Sequence, residues 1–468
     1  MLKKMSSPIS SVRSLIVHPI FIIAIIGIAA RLALIPILQY GYDMDYWAVI
    51  IRNLESGQGL YAVEGYYYTP VWGYFLSFLS MIQSLFLHID IMGLRVPETF
   101  ALESLYWGIT SNVTAVAFNT FIKTPLVIID ILVGYLIYWL IKDRTQDMKK
   151  ATIGFALWIL CPLVIVVTSA AGMFDSLSVL FALLCIIMLR KDKLFLAGVL
   201  FTFAVLTKFF PVYLLFILMA YVIVVHRSDG KMVRSLLTAG AGTLAAFLVL
   251  MLPMILNGEF TDSFDFLTSR AVGNNTEMYF GFNMNIMVNV FCFAAALLAG
   301  YLLSQKSKEK VDDYFFIYAL PLVLIPFMIP GLPQYLVLTM PFLIMIIVCR
   351  NHRYLWIWLL LTIGGTLFVL ARYFGLMVSL GVFTDLVPLD HVISMIFAFE
   401  DPFIFGMGPT ELTYYISRGA LLGAFLGLIF IVIEWYILGR RGGEVSGSKI
   451  AAFVFSFRIK WPRLRDGG

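Results

Sequence analysis

Three stretches, Leu15–Gln39, Ala151–Ala171 and Ser235–Leu256, run almost unbroken through apolar residues, and they constrain the fold more than anything else in the chain. Each is long enough to cross a hydrocarbon core of about 30 Å as a helix. Lipid offers no water to satisfy a backbone N–H or C=O, so a run of this kind has to bond within itself. The alternating pattern of barrel strands is absent. The rest of the 468-residue chain follows suit: 61% is hydrophobic and 13% charged, where a soluble domain has about 45–50% apolar and about 25% charged residues. No small-residue cleavage site follows the first run, so it is expected to stay as a helix rather than leave as a signal peptide.

Charge placement orients these runs. Spanning helices are expected near 15–39, 120–141, 151–171, 175–190, 194–208, 210–225, 234–256, 286–303, 314–330, 334–349, 353–372 and 417–438. With the N-terminus inside, the cytoplasmic segments and adjoining helix ends hold 25 of the 33 Lys and Arg but only 10 of the 28 Asp and Glu. That is the asymmetry of the positive-inside rule. Residues 69–92 are apolar enough to span, yet counting them as a span would put KDRTQDMKK at 142–150 outside. They are therefore expected to form a re-entrant or interfacial helix within an outer loop from 40 to 119. Trp47, Trp72 and Trp107 in that loop suit the membrane interface.

The fold class expected is an all-α polytopic membrane protein with about twelve transmembrane helices and interfacial helices on the outer face. Residues 1–438 form one domain, and 439–468 a basic cytoplasmic tail drawn to anionic head groups. The net charge of +5 gives no reason to expect nucleic acid, because the basic residues lie in short loops between spans. Cys161, Cys185, Cys292 and Cys349 all fall in spans, so no disulfide framework is implied. The five histidines show no zinc-ligand spacing.

Polar groups gather at the outer helix ends. Asp43 and Asp45 stand just past the first span, where charge beside the apolar boundary is costly and so points to function. A lone D-x-D equally marks a helix end. Asp175, in Gly172-Met173-Phe174-Asp175-Ser176, is placed to cap the helix it precedes. In Lys208-Phe209-Phe210-Pro211 the proline ends one helix and starts the next. Lys208 there either snorkels or holds a lipid-linked phosphate as a point charge. Lys123 and Asp130 are seven apart and so share a helix face, as an intramembrane ion pair would. The outer loop 257–285 supplies Arg270, whose planar fork of donors suits phosphate or sugar oxygens. Gln334-Tyr335 closes a late outer turn and can hydrogen-bond a sugar.

Taken in order, these residues resemble the membrane glycosyltransferases of the C-type (GT-C) fold. They are most like the catalytic subunit of GPI mannosyltransferase I and the prokaryotic polyprenyl-phosphate-mannose-dependent mannosyltransferases. The resemblance is carried by D-x-D-Y at Asp43–Tyr46, Gly-x-x-x-Tyr at Gly57–Tyr61, Tyr68-Thr69-Pro70, and Lys123 with Asp130. It continues through Asp175-Ser176, Lys-x-x-Pro-Val at 208–212, Leu267-Thr268-x-Arg270 to Asn275, Tyr279-Phe280, and Gln334-Tyr335. It covers residues 40 to 340. Two departures stand out. The D-x-D to Gly spacing is two residues shorter than in the eukaryotic enzymes, which leaves Asp43 and Asp45 both eligible for the key acidic position. Ala271, Val272, Gly273 and Asn274 replace a charged stretch, which puts the acceptor in question more than the donor.

The resemblance implies transfer of a hexose, mannose by analogy, from a polyprenyl- or dolichyl-phosphate donor to an acceptor hydroxyl, with inversion. The active site would face the outer or lumenal side of the plasma membrane or endoplasmic reticulum. Asp43 or Asp45 would be the base. Lys208, Arg270 and Lys123 would hold the donor phosphate. Glu64, Tyr67, Tyr68, Asp175, Asn275, Tyr279, Gln334 and Tyr335 would line the substrate. The acceptor is a lipid, glycan or protein, and a small accessory subunit is compatible. No cofactor is assigned beyond the lipid-linked donor, and these residues do not settle divalent-metal use. A transporter or flippase is the alternative, although such proteins concentrate ionisable groups near mid-membrane and this chain gathers them at one face.

Overall fold

The computed structural model describes residues 19–60, 66, 68–95, 112–258, 278–279, 282–324, 333–398, 402 and 406–441. They form a helical, multi-pass membrane protein with two short antiparallel strand pairs. The helices are α1 Pro19–Leu34, α2 Gly41–Glu55, α3 Pro70–Leu87, α4 Val116–Thr145, α5 Met148–Ile159, α6 Pro162–Ala170, α7 Asp175–Arg190 and α8 Leu194–Val205. They continue as α9 Phe210–His226, α10 Met232–Asn257, α11 Met284–Ser304, α12 Val311–Ala319, α13 Pro333–Cys349, α14 Leu355–Arg372, α15 Leu389–Ala398 and α16 Pro409–Arg441. Strands β1 Met92–Arg95 and β2 Asn112–Thr114 pair antiparallel, as do β3 Met278–Tyr279 and β4 Phe282–Asn283. Six of the described helices are long and apolar enough to cross a membrane alone, and a seventh span results if α5 and α6 count as one. The tail beyond Arg441 lies outside the described residues.

Contacts between helix ends define two opposite faces. At one, the site end, Tyr40 N–H donates to Ala171 O (3.3 Å), Gln39 N–H to Leu376 O (2.9 Å) and Val71 N–H to Leu206 O (3.3 Å). At the other, the basic end, Arg144 pairs with Asp313 (2.8 Å) and Arg190 with both Asp143 (3.2 Å) and Asp312 (3.3 Å). Arg350 also pairs with Asp313. Arg227 donates to Ser304 O and Lys306 O, using carbonyls that the end of α11 leaves without helical partners.

Helix α3 has the length of a span, but both of its ends return to one face. It starts at the Val71–Leu206 bond, and soon after it Ile91 O accepts from Ala115 N–H at 2.9 Å. Thr114, next to Ala115, lies 2.6 Å from Gln39 Oε1. Left-handed His88 (φ 49°) turns the chain back, and four residues reach at most about 14 Å. The rod therefore does not deliver the chain to the basic end. Gly73 lets it pack tightly, since a Cβ there would sit 2.3 Å from the Tyr66 hydroxyl.

The expected span 151–171 is broken. Pro162 lacks the N–H to continue α5, and α5 and α6 meet at 44°. Arg31 fills the gap: its Nη1 donates to Ile159 O at 2.7 Å and its Nε to Asp130 Oδ2 at 2.9 Å. Thr168 donates to the same Oδ2 at 2.7 Å, and Trp158 Nε1 to Asp130 O at 2.9 Å. Gly27 brings α1 against the break, where a Cβ would lie 2.1 Å from Ile159. The sequence pairing of Asp130 with Lys123 is thus corrected: Asp130 belongs to Arg31. Besides the two strand pairs, two helices were not foreseen. Helix α2 lies inside the 40–119 loop, and α15 lays Val392 and Ile396 on Val113 of β2.

Candidate functional site

The site end brings four of the sequence motifs together. The first is D-x-D, which occupies the opening turns of α2. Residues two apart on a helix point about 200° from one another, so Asp43 and Asp45 do not form a carboxylate pair on one face. Asp43 shares its face with Trp47, four residues on. Trp47 is fully buried and packs on Tyr68 (5.4 Å between ring centroids), Trp72 (5.6 Å) and Phe174 (5.8 Å). Asp43 also lies within electrostatic reach of Tyr373.

Phe174 links this aromatic block to the second and third motifs. It stacks on Trp72 at 4.5 Å with the rings 4° apart. Lys208 Nζ stands over its other surroundings, 4.2 Å from the Phe174 centroid, 5.5 Å from Tyr335 and 6.0 Å from Tyr68. Among the described residues the nearest carboxylate is Asp175, with Oδ2 3.7 Å from Nζ, too long for a hydrogen bond. Asp175 was expected to cap α7, but Phe174 takes the cap position and Asp175 is the first helical residue, its side chain buried. The carboxylate is left aimed at Lys208 instead. Lys208 itself sits in the break between α8 and α9, where Pro211 opens a tight turn of helix.

The fourth motif closes the group. Tyr335 packs on Phe210 at 4.2 Å. Gln334 Oε1 accepts from the Tyr373 hydroxyl at 2.6 Å, and Tyr373 packs on Tyr40 at 4.3 Å. A small cleft is lined by Asp175, Ser178, Lys208, Phe210, Tyr335 and Leu338. A separate apolar cavity of about 370 Å³ between α7, α8, α9 and α10 is lined by Phe201, Leu218 and Phe247 among others. It shares no residue with the cleft.

Lys123 stands apart from this group. Its ammonium is buried and donates to Ala170 O (3.0 Å), Ile35 O (3.3 Å) and Leu38 O. These carbonyls belong to the α1–α2 corner and the end of α6, so Lys123 fixes the turn that presents Asp43. Gly172 (φ 80°) makes that turn close, with Met44 Sδ and Lys123 Cε packed 2.7 and 3.1 Å from where a Cβ would be. Of the other residues expected here, Glu64, Tyr67, Arg270 and Asn275 lie outside the described residues. Tyr279 is described only as backbone paired with Phe282.

Sequence reasoning missed Arg31, Phe174 and Tyr373. Arg31 carried a usable signal, an ionisable residue inside an apolar run. Phe174 and Tyr373 carried none, because their importance lies in what tertiary packing sets beside them. Among the described residues no three His, Cys, Asp or Glu side chains converge as metal ligands would. No family model and no curated protein matches this chain.

Proposed function

We propose that the chain is a GT-C-type membrane glycosyltransferase that moves a hexose, mannose by resemblance, from a polyprenyl phosphate to an acceptor hydroxyl. The observation that carries this reading is the meeting of Asp43, Lys208 with Asp175, and Gln334-Tyr335 at one end of the bundle. The acceptor oxygen attacks the anomeric carbon while its proton passes to Asp43. The bond from that carbon to the phosphate oxygen breaks, and the growing phosphate charge meets Lys208. Lys208 is suited to this because, among the described residues, its carboxylate partner Asp175 stands 3.7 Å away, beyond hydrogen-bond length. A single base on the acceptor side gives inversion, and the divergence of Asp43 from Asp45 along α2 supports that. Arg270, Glu64, Tyr67 and Asn275 join the site by resemblance only.

The same reading takes α1, α4, α5–α6, α7 to α14 and α16 as twelve traversals, with the site end facing outward or into the lumen. A thiol reagent applied from outside should label Asn112→Cys and miss Gln146→Cys; labelling of 146 would reverse this topology. For the activity, purified protein should be incubated with polyprenyl-phosphate mannose and candidate acceptors. Asp43→Asn should lower turnover on the order of 10²–10⁴-fold with the melting temperature kept. Transfer undiminished in both Asp43→Asn and Asp45→Asn removes the D-x-D base. Substrate translocation without transfer favours the transporter alternative.

A further inference from the structure

We propose that Arg418 and Arg372 form a binding site for the phosphate of a lipid head group in the leaflet at the site end. Arg418 stands at the start of the apolar part of the helix Pro409–Glu434, just past the polar turns 409–417. A charge held beside the apolar boundary, at head-group level, needs a reason. Its guanidinium carbon rests 4.4 Å from the Phe368 ring and 5.1 Å from the Tyr414 ring, and Nη2 meets the Tyr414 hydroxyl at 3.0 Å. Among the described residues no carboxylate pairs with it. Two aromatic faces hold the group in place without neutralising it, so it stands oriented for an anion.

The surroundings indicate the kind of anion. Tyr415, Ile416 and Leu422 beside it are 55%, 53% and 58% exposed, and a Cβ on Gly419 would meet nothing within 4 Å. This stretch of α16 therefore faces lipid rather than protein. Helices α14 and α16 run antiparallel, with Gly364 against Ala420 and Gly427 against Trp356. Side chains lean toward a helix N-terminus, so Arg418 leans to the site end while Arg372, on the opposed helix, leans away from it. Arg372 is four residues beyond Phe368 and on the same helix face. The antiparallel register places Arg372 within about two turns of the level of Arg418 at the α14–α16 seam. A planar fork of donors matches phosphate oxygens, and a ligand entering from the lipid-facing side carries its own hydrocarbon.

Lipid binding tests this without any sugar donor, so its outcome is separate from that of the transfer reading. The full chain in mild detergent is titrated with phosphatidylglycerol, and bound lipid is counted by native mass spectrometry. The tightest-bound lipid should weaken about tenfold or more in Arg418→Gln. It should weaken less in Arg372→Gln, and remain unchanged in Lys149→Gln/Lys150→Gln at the basic end. Arg418→Lys, which keeps charge but not the fork, should fall between wild type and Arg418→Gln, and it serves if Arg418→Gln does not fold. A neutral glycolipid with the same chains should bind at least about tenfold more weakly than phosphatidylglycerol. Equal binding of that glycolipid, unchanged lipid binding in both Arg418→Lys and Arg372→Gln, or displacement of the lipid by millimolar inorganic phosphate would each overturn the proposal.

Discussion

Two cation–carboxylate pairs in this molecule, one fully buried and one with its cation partly exposed, are built in opposite ways. Arg31 and Asp130 meet at 2.9 Å, and Thr168, Trp158 and the carbonyls of Gly27 and Ile159 close around them. Lys208 and Asp175 stand 3.7 Å apart, with aromatic faces rather than hydrogen-bond partners about the ammonium. The first pair spends its donors on holding a broken helix to its neighbours. The second keeps its donors available. A densely hydrogen-bonded pair in a low-dielectric interior favours one arrangement strongly, even with Arg31 Nη2 and Asp130 Oδ1 left without partners, whereas a loosely paired cation can exchange its partner for a ligand's phosphate. Charge inside a membrane protein thus serves structure or chemistry according to how many hydrogen bonds already satisfy it.

The contrast is open to attack at several points. Asp130→Ala leaves the Arg31 guanidinium buried without its countercharge and should cost about 3–5 kcal/mol, read as a large fall in thermal stability in detergent. Replacing both partners, Arg31→Met with Asp130→Leu, should recover about 2 kcal/mol of that loss, since apolar replacement of a whole pair is often near neutral. Recovery stays incomplete because Ile159 O also loses its donor.

At the open pair the effect moves from stability to binding. Lys208→Ala should weaken the donor about tenfold or more, as for loss of a charged hydrogen-bond donor. Its melting shift should be no more than half that of Asp130→Ala. If the two variants destabilise equally, the distinction between the tightly and the loosely bonded pair fails. If donor affinity is unchanged, Lys208 is a snorkelling residue. The smallest effect is expected at Tyr373→Phe, which removes only the hydroxyl donated to Gln334 and should change turnover about threefold to tenfold. A loss as large as that of Asp43→Asn would make Tyr373 a direct participant.

Much of the architecture was legible in the sequence because lipid enforces it. An apolar run such as 232–257 has no alternative to helix, and Pro211 at a helix start follows from its missing N–H. The Lys208–Pro211 break and the Gln334-Tyr335 turn could be located for the same reason. What could not be read is which partner each charge takes. Lys123 and Asp130 satisfy a seven-residue spacing on one helix, yet Asp130 bonds to a residue 99 positions away. Spacing places groups on a face; only tertiary packing decides what lies opposite. The helical conformation of 41–55 was likewise hidden, because Tyr, Asp and Trp side chains there read as an interfacial loop until Trp47 is seen buried against Phe174.

The shortness of α8 bears on where a reaction at Lys208 would take place. Its twelve residues rise about 18 Å, against a hydrocarbon core of about 30 Å. On the proposed topology α8 starts at the cytoplasmic boundary beside Lys191 and Lys193 and ends about 10 Å short of the opposite one. On that reading Lys208 lies beneath the plane of the surrounding head groups. A substrate carried on a long hydrocarbon chain need not be lifted out of the bilayer to reach it. Only its polar end has to tilt sideways into the protein, and the water that competes for that end must come down from above.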